Sequence, residues 1–176
     1  MTTASKITLV RVLLVPVYIL FMYLSDGHVG LWMYLALGLF IAASLTDFID
    51  GLIARMYNQV SDFGKFIDPL ADKLLTIAAM CMFCQWGKFP AWALMIVLTR
   101  EFAVSGLRMV AAPKGKVIAA GWSGKVKTAA TMISLCVWMA FPDVQWVRIT
   151  VTSIIVLTTL YSGIEYFWKN WKCLKD

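Results

Sequence analysis

A chain of 176 residues that is 61% hydrophobic, with mean hydropathy +0.77, is more apolar than a soluble domain of its length. Its formal charge of +6 comes without interleaved aromatic and basic runs, so a nucleic-acid surface is not expected. The single histidine, His28, lies in a short polar turn and argues against a His-dependent catalytic centre.

Six apolar segments are predicted, at roughly 7–25, 29–54, 66–86, 90–112, 117–141 and 145–168. Each approaches the roughly 20 residues that a membrane-spanning helix needs. The first holds Arg11 and Pro16, and no small-residue cleavage site follows it. It therefore reads as a span and not as a signal peptide. Ser25-Asp26-Gly27-His28 separates it from the second, which runs into a polar stretch from Arg55 to Lys65. The third carries Cys81 and Cys84 in Met-rich apolar sequence. With no second pair and no nearby His, they read as packing residues and not as zinc or redox ligands. Gly87-Lys88-Phe89-Pro90, Pro113-Lys114-Gly115-Lys116 and Phe141-Pro142-Asp143 mark the remaining breaks. The expected fold is all-α, a polytopic membrane protein of six transmembrane helices in a single domain over 1–176.

Charge then orients the bundle. One set of segment ends carries Lys6, Arg11, Arg55, Lys65, Arg108, Lys114, Lys116, Lys125, Lys127, Lys169, Lys172 and Lys175. The opposite set carries Lys88 and Arg148. The positive-inside rule puts the richer side, with both termini, in the cytoplasm of a multi-pass cell-membrane protein. A basic rim there favours anionic lipid and anionic substrates.

The strongest local pattern spans residues 47–72. It reads Asp47-Phe48-Ile49-Asp50-Gly51-Leu52-Ile53-Ala54-Arg55, then eight residues, then Gly64-Lys65-Phe66-Ile67-Asp68-Pro69-Leu70-Ala71-Asp72. Asp47, Asp50, Gly51 and Ala54 are spaced i, i+3, i+4, i+7 and share a helix face. Gly64, Asp68 and Asp72 share another. About a turn near residues 58–62 the two helices run antiparallel, so the four carboxylates fall at matching depths. A lone Asp near a helix centre costs about 2.5–3.5 kcal/mol on insertion scales, and four cost roughly 10 kcal/mol. Such a cluster needs compensating cations and a hydrated cavity. All-oxygen ligands suit Mg²⁺ or Mn²⁺, and four carboxylates suffice for two ions. Two ions beside open space suit a diphosphate. An ion or proton path in a transporter is the alternative these residues leave open.

These residues match the signature D-x2-D-G-x2-A-R-x8-G-x3-D-x3-D at every fixed position, and so the chain resembles the CDP-alcohol phosphotransferases. Chance agreement is on the order of one in 10^10 per starting point. Members join an alcohol to the phosphatidyl or similar group of a CDP-linked donor and release CMP, typically as homodimers with a cytoplasm-facing site. The resemblance implies that Asp47, Asp50, Asp68 and Asp72 are metal ligands and that Asp72 is also the general base. It implies that Asp47, Gly51, Ala54, Arg55, Gly64, Lys65 and Asp68 surround the CMP moiety of CDP-diacylglycerol. Thr99-Arg100-Glu101-Phe102-Ala103-Val104-Ser105-Gly106-Leu107-Arg108 and Gly124-Lys125-Val126-Lys127-Thr128 resemble the bacterial phosphatidylglycerophosphate synthase branch. The acceptor expected on that ground is sn-glycerol 3-phosphate, its phosphate met by Arg11, Arg108, Lys125 and Lys127 with Thr8 and Ser123 nearby. Arg100 and Glu101 sit deeper and are expected to partner each other or a neighbouring helix. Same-family alternatives use the acceptors of cardiolipin synthase or phosphatidylinositol phosphate synthase. Many members carry an Asn just before the Lys6-Ile7-Thr8 segment, where this chain has Ala4-Ser5.

Overall fold

A computed structural model describes residues 3–57, 62–111 and 121–170, with side chains described for 10–46, 73–109, 111 and 121–170. These residues form six α-helices and no strand: α1 (Thr3–Ser25), α2 (Leu31–Tyr57), α3 (Asp62–Gln85), α4 (Ala91–Ala111), α5 (Trp122–Ala140) and α6 (Gln145–Asn170). The helices follow the six predicted segments. The clearest shift is the start of α5, which lies at Trp122 and not near 117, because Gly121 is extended (φ −66°, ψ 159°).

Helix α1 packs on α2 and α3, α5 lies along α6, α4 packs on α6, and α2 and α3 touch α5. The loops 26–30, 86–90 and 141–144 all lie at one end of the bundle, and the apolar core occupies the half next to them. Tyr18, Met22, Met33, Phe40, Phe83, Phe89, Trp138, Met139 and Ile155 are almost wholly buried there. Their spacing explains the packing: Val15, Tyr18 and Met22, or Met33, Ala36 and Phe40, recur on one helical face. Phe83 stacks on Trp138 with ring centroids 4.5 Å apart, and Phe89 meets the same indole edge-on at 5.7 Å. Such pairs contribute about 0.5–1.5 kcal/mol beyond buried area. Among the described residues Cys81, Cys84 and Cys136 are free thiols, Cys81 exposed and the other two partly buried.

The loop end is fastened by charge. The Lys88 ammonium donates to the Gly27 carbonyl, to the Pro142 carbonyl at 3.3 Å and to Asp143 Oδ1 at 2.8 Å. Asp143 also accepts from Val29 N at 3.3 Å and lies 3.1 Å from His28 Nδ1. The hydrogen bond from Lys88 holds the Asp143 carboxyl below the usual carboxylate range. Gly27 is required at this junction. Its φ is +74°, and a Cβ there would lie 2.7 Å from the Trp86 ring. His28, in the short polar turn the sequence indicates, is exposed and joins this network.

Among the described residues, α6 is the helix long and apolar enough by itself to cross a membrane. Shorter apolar stretches run Val10–Ser25, Leu31–Thr46 and Lys73–Gln85. The other helices carry charges within their length, among them Arg11 in α1, Arg100 and Glu101 in α4, and Lys127 in α5. Large apolar side chains nonetheless face outward around the bundle, including Leu13, Tyr34, Phe102, Trp122, Leu157 and Trp168.

Candidate active site

The carboxylate motif lies on two neighbouring helices that touch one another. Asp47, Asp50, Gly51, Ala54 and Arg55 fall within α2, and Gly64, Lys65, Asp68 and Asp72 within α3. Each group sits on continuous helical backbone, as the i, i+3 and i, i+4 spacings require. The side chains of residues 47–72 lie outside the described residues, as does the side chain of Thr8.

One residue beyond Asp72, a charged layer crosses the bundle. Glu101, buried on α4, accepts from Lys127 Nζ of α5 at 2.6 Å and from Arg100 at 3.2 Å. Its second oxygen lies 3.2 Å from Lys73 Nζ of α3. Lys73 also donates to Ser105 Oγ of α4 at 2.7 Å, and Arg100 to Ser162 Oγ of α6 at 2.6 Å. Gly163 makes room for the Arg100 stem: a Cβ there would lie 3.3 Å from Arg100 Cγ. Three helices, α3, α4 and α5, thus meet at one carboxylate, and α6 joins the layer through Arg100. Three cations around it leave the layer positively charged. A cavity of about 60 Å³ adjoins it, lined by Lys73, Thr76, Glu101, Lys127, Thr128 and Thr131 among others.

The layer is level with Asp72, at the loop-side edge of the motif. Counted from the loop end, Lys73 is twelve residues from Gln85, Glu101 ten from Ala91, Lys127 thirteen from Ala140 and Arg11 fourteen from Ser25. Asp72 is thirteen from Gln85. At 1.5 Å rise per residue these lie within about one helical turn of each other.

The predicted acceptor residues separate into two groups. Arg11 and Lys127 are buried in the bundle. Arg108 and Lys125 are exposed nearer the motif end, with Ser123 partly exposed. Arg108 Nε donates to Tyr166 Oη at 3.0 Å, with the guanidinium 5.6 Å from that ring's centroid. Lys127, expected on the acceptor phosphate, directs its ammonium to Glu101 in this structure. Lys125 and Lys127 are two residues apart on α5, about 200° around the helix, so they leave it on opposite sides.

Arg100 and Glu101 do pair, as expected, but the size of their network was not foreseen. Lys73, Ser105, Ser162 and Tyr166 went unmarked in the sequence. A signal existed for Lys73: an acidic residue at mid-helix in an apolar bundle requires a partner, and Lys73 lies at its depth.

A wide apolar groove of about 920 Å³ runs between α4 and α6, lined by Met95, Ile96, Ala103, Leu160, Ile164, Phe167 and others, Arg100 among them.

Residues 1–161 match the family model described as CDP-alcohol phosphatidyltransferase. The chain is 40% identical to the CDP-diacylglycerol--glycerol-3-phosphate 3-phosphatidyltransferase of Bacillus subtilis, covering 97% of this chain and 96% of that one. It is 38% identical to the protein of the same name from Escherichia coli, covering 92% and 91%. It is 36% identical to a Mycobacterium tuberculosis protein named "Probable phosphatidylglycerophosphate synthase", covering 93% and 78%.

Proposed function

The chain belongs to the CDP-alcohol phosphatidyltransferase family, and on that premise we propose that it transfers the phosphatidyl group of CDP-diacylglycerol to sn-glycerol 3-phosphate. The products are phosphatidylglycerol phosphate and CMP. The observation that carries this reading is the whole-length likeness to enzymes named for that reaction, with the complete aspartate motif on two touching helices.

The setting we propose is a single membrane domain of six spans in the cell membrane, with both termini cytoplasmic, acting as a homodimer. Outward-facing apolar side chains support it. So do tryptophans near both ends, Trp92 and Trp146 at the loop end and Trp122 and Trp168 at the other.

The donor set fits divalent cations. Four carboxylates supply only oxygen, and Lys73, the cation next to Asp72, is directed to Glu101 and Ser105. Asp47, Asp50, Asp68 and Asp72 would hold two Mg²⁺ or Mn²⁺ ions. Bound there, the ions would supply positive charge to offset the donor diphosphate and the leaving group.

The chain's own residues do the rest. Arg55 pairs with a donor phosphate, while Gly51, Ala54 and Gly64 leave room for the cytidine. Lys65 borders the same pocket. Arg108 and Lys125, both exposed, are the better placed to meet the acceptor phosphate. Asp72 takes the proton of the acceptor's primary hydroxyl as its oxygen attacks the phosphorus bearing diacylglycerol. The P–O bond to CMP breaks in the same displacement.

Purified protein given Mg²⁺, CDP-diacylglycerol and labelled glycerol 3-phosphate is expected to release CMP and form a labelled anionic lipid. CMP release with phosphatidylglycerol but not with glycerol 3-phosphate would reassign the acceptor to that of a cardiolipin synthase. No CMP with any alcohol would sink the enzyme reading.

A further inference from the structure

The charged layer has no part in the chemistry just described, yet it abuts it. The half of the bundle next to the loops is held by aromatic and aliphatic packing, so helices in this chain associate without buried ions. An ion cluster that served only to join helices could be replaced by apolar side chains of similar volume, often without loss. The position of this one therefore asks for another reason.

That reason lies on α3. Lys73 is held at two points, Glu101 Oε2 and Ser105 Oγ, both on α4. Its backbone neighbour is Asp72, displaced by about 100° and 1.5 Å on the same helix. Fixing the Lys73 ammonium against α4 fixes the rotation of α3 at the last turn of the motif. Glu101 takes up Lys127 with its other oxygen, which registers α5 to the same level.

We propose that Glu101 is a positioning residue for the transfer reaction: through Lys73 it sets the rotation of α3 at the turn that carries Asp72 and Asp68. This rests on the phosphatidyltransferase reading above. Glu101 touches neither substrate nor metal in this account. Misplacing a reacting group by about 1 Å costs on the order of a hundredfold in rate.

The test is a double-mutant cycle in kcat with Glu101→Gln, Lys73→Met and the pair, each assayed by CMP release in one detergent. Each single variant is expected to lose about tenfold to a hundredfold in kcat, with KM for both substrates within roughly threefold of wild type. The pair is expected to be no worse than the poorer single variant, because both break one link. Glu101→Asp, which keeps the charge, is expected to restore part of kcat. Lys88→Met, at the far end, serves as the control that lowers Tm and leaves kcat unchanged. If Glu101→Gln does not fold, Glu101→Asp takes its place in the cycle, with a smaller loss in kcat expected that Lys73→Met again absorbs and additive losses again overturning the proposal. Additive losses, or losses confined to KM, overturn the proposal while the enzyme reading stands. So does a Lys73→Met defect with an unimpaired, folded Glu101→Gln. An inactive wild type overturns both.

Discussion

Lys88→Met removes the ammonium that joins three loops while keeping most of the apolar stem. The side chain is 16% exposed, and its partners are two backbone carbonyls and Asp143. Hydrogen bonds from a charged donor contribute about 1.5–3 kcal/mol each. The Pro142 contact is long at 3.3 Å, which places it at the low end. Asp143 is 45% exposed, so the ion pair itself contributes about 1 kcal/mol or less. Allowing for water at the freed carbonyls, the loss is about 2–3 kcal/mol. In a chain of this length 1 kcal/mol moves Tm by roughly 2–4 °C, so a drop of about 4–12 °C is expected. Asp143→Asn leaves both carbonyl contacts in place and is expected to cost no more than about 1 kcal/mol. Thermal scans of the two variants in the same detergent, read by size exclusion of the folded fraction, make the comparison. Equal losses would refute the assignment of the carbonyls as the main partners. A fall in kcat for folded Lys88→Met would refute the separation of the two ends.

Because Lys88 lowers the Asp143 carboxyl, its contribution is present above the unfolded value near 3.9 and lost as pH falls through the folded value. The Tm difference between wild type and Asp143→Asn is therefore expected to be flat from pH 8 to about pH 5 and to shrink below about pH 4. Asp72→Asn is expected to keep wild-type elution and abolish CMP release; near-normal turnover would remove the base assignment. Chelation should silence the wild type, with activity regained on adding Mg²⁺ or Mn²⁺. Arg108→Ala is expected to raise KM for glycerol 3-phosphate about tenfold or more with little effect on KM for the lipid donor, measured by initial rates.

The helices were legible because each break carries residues that end helices. Ser25 caps its own helix, its hydroxyl 2.6 Å from the Met22 carbonyl, and Gly87 turns with φ +65°. The aspartate motif was legible because helical spacing is a local property. The charged layer was not, because charge counting sorts residues by which end they lie near and ignores helical phase. Lys127 was grouped with Lys125 on that basis, although one is buried on Glu101 and the other faces out. The Lys88–Asp143 link joins residues 55 apart, in different loops, and nothing in the sequence near either names its partner.

The fastened loop end also bears on the transporter alternative. Alternating access requires each end of a bundle to part in turn, and here one ammonium and one carboxylate hold three connections together. Parting that end would cost about the 2–3 kcal/mol that the Lys88 link contributes. Phosphatidyl transfer at the aspartate motif, as proposed above, needs no such parting.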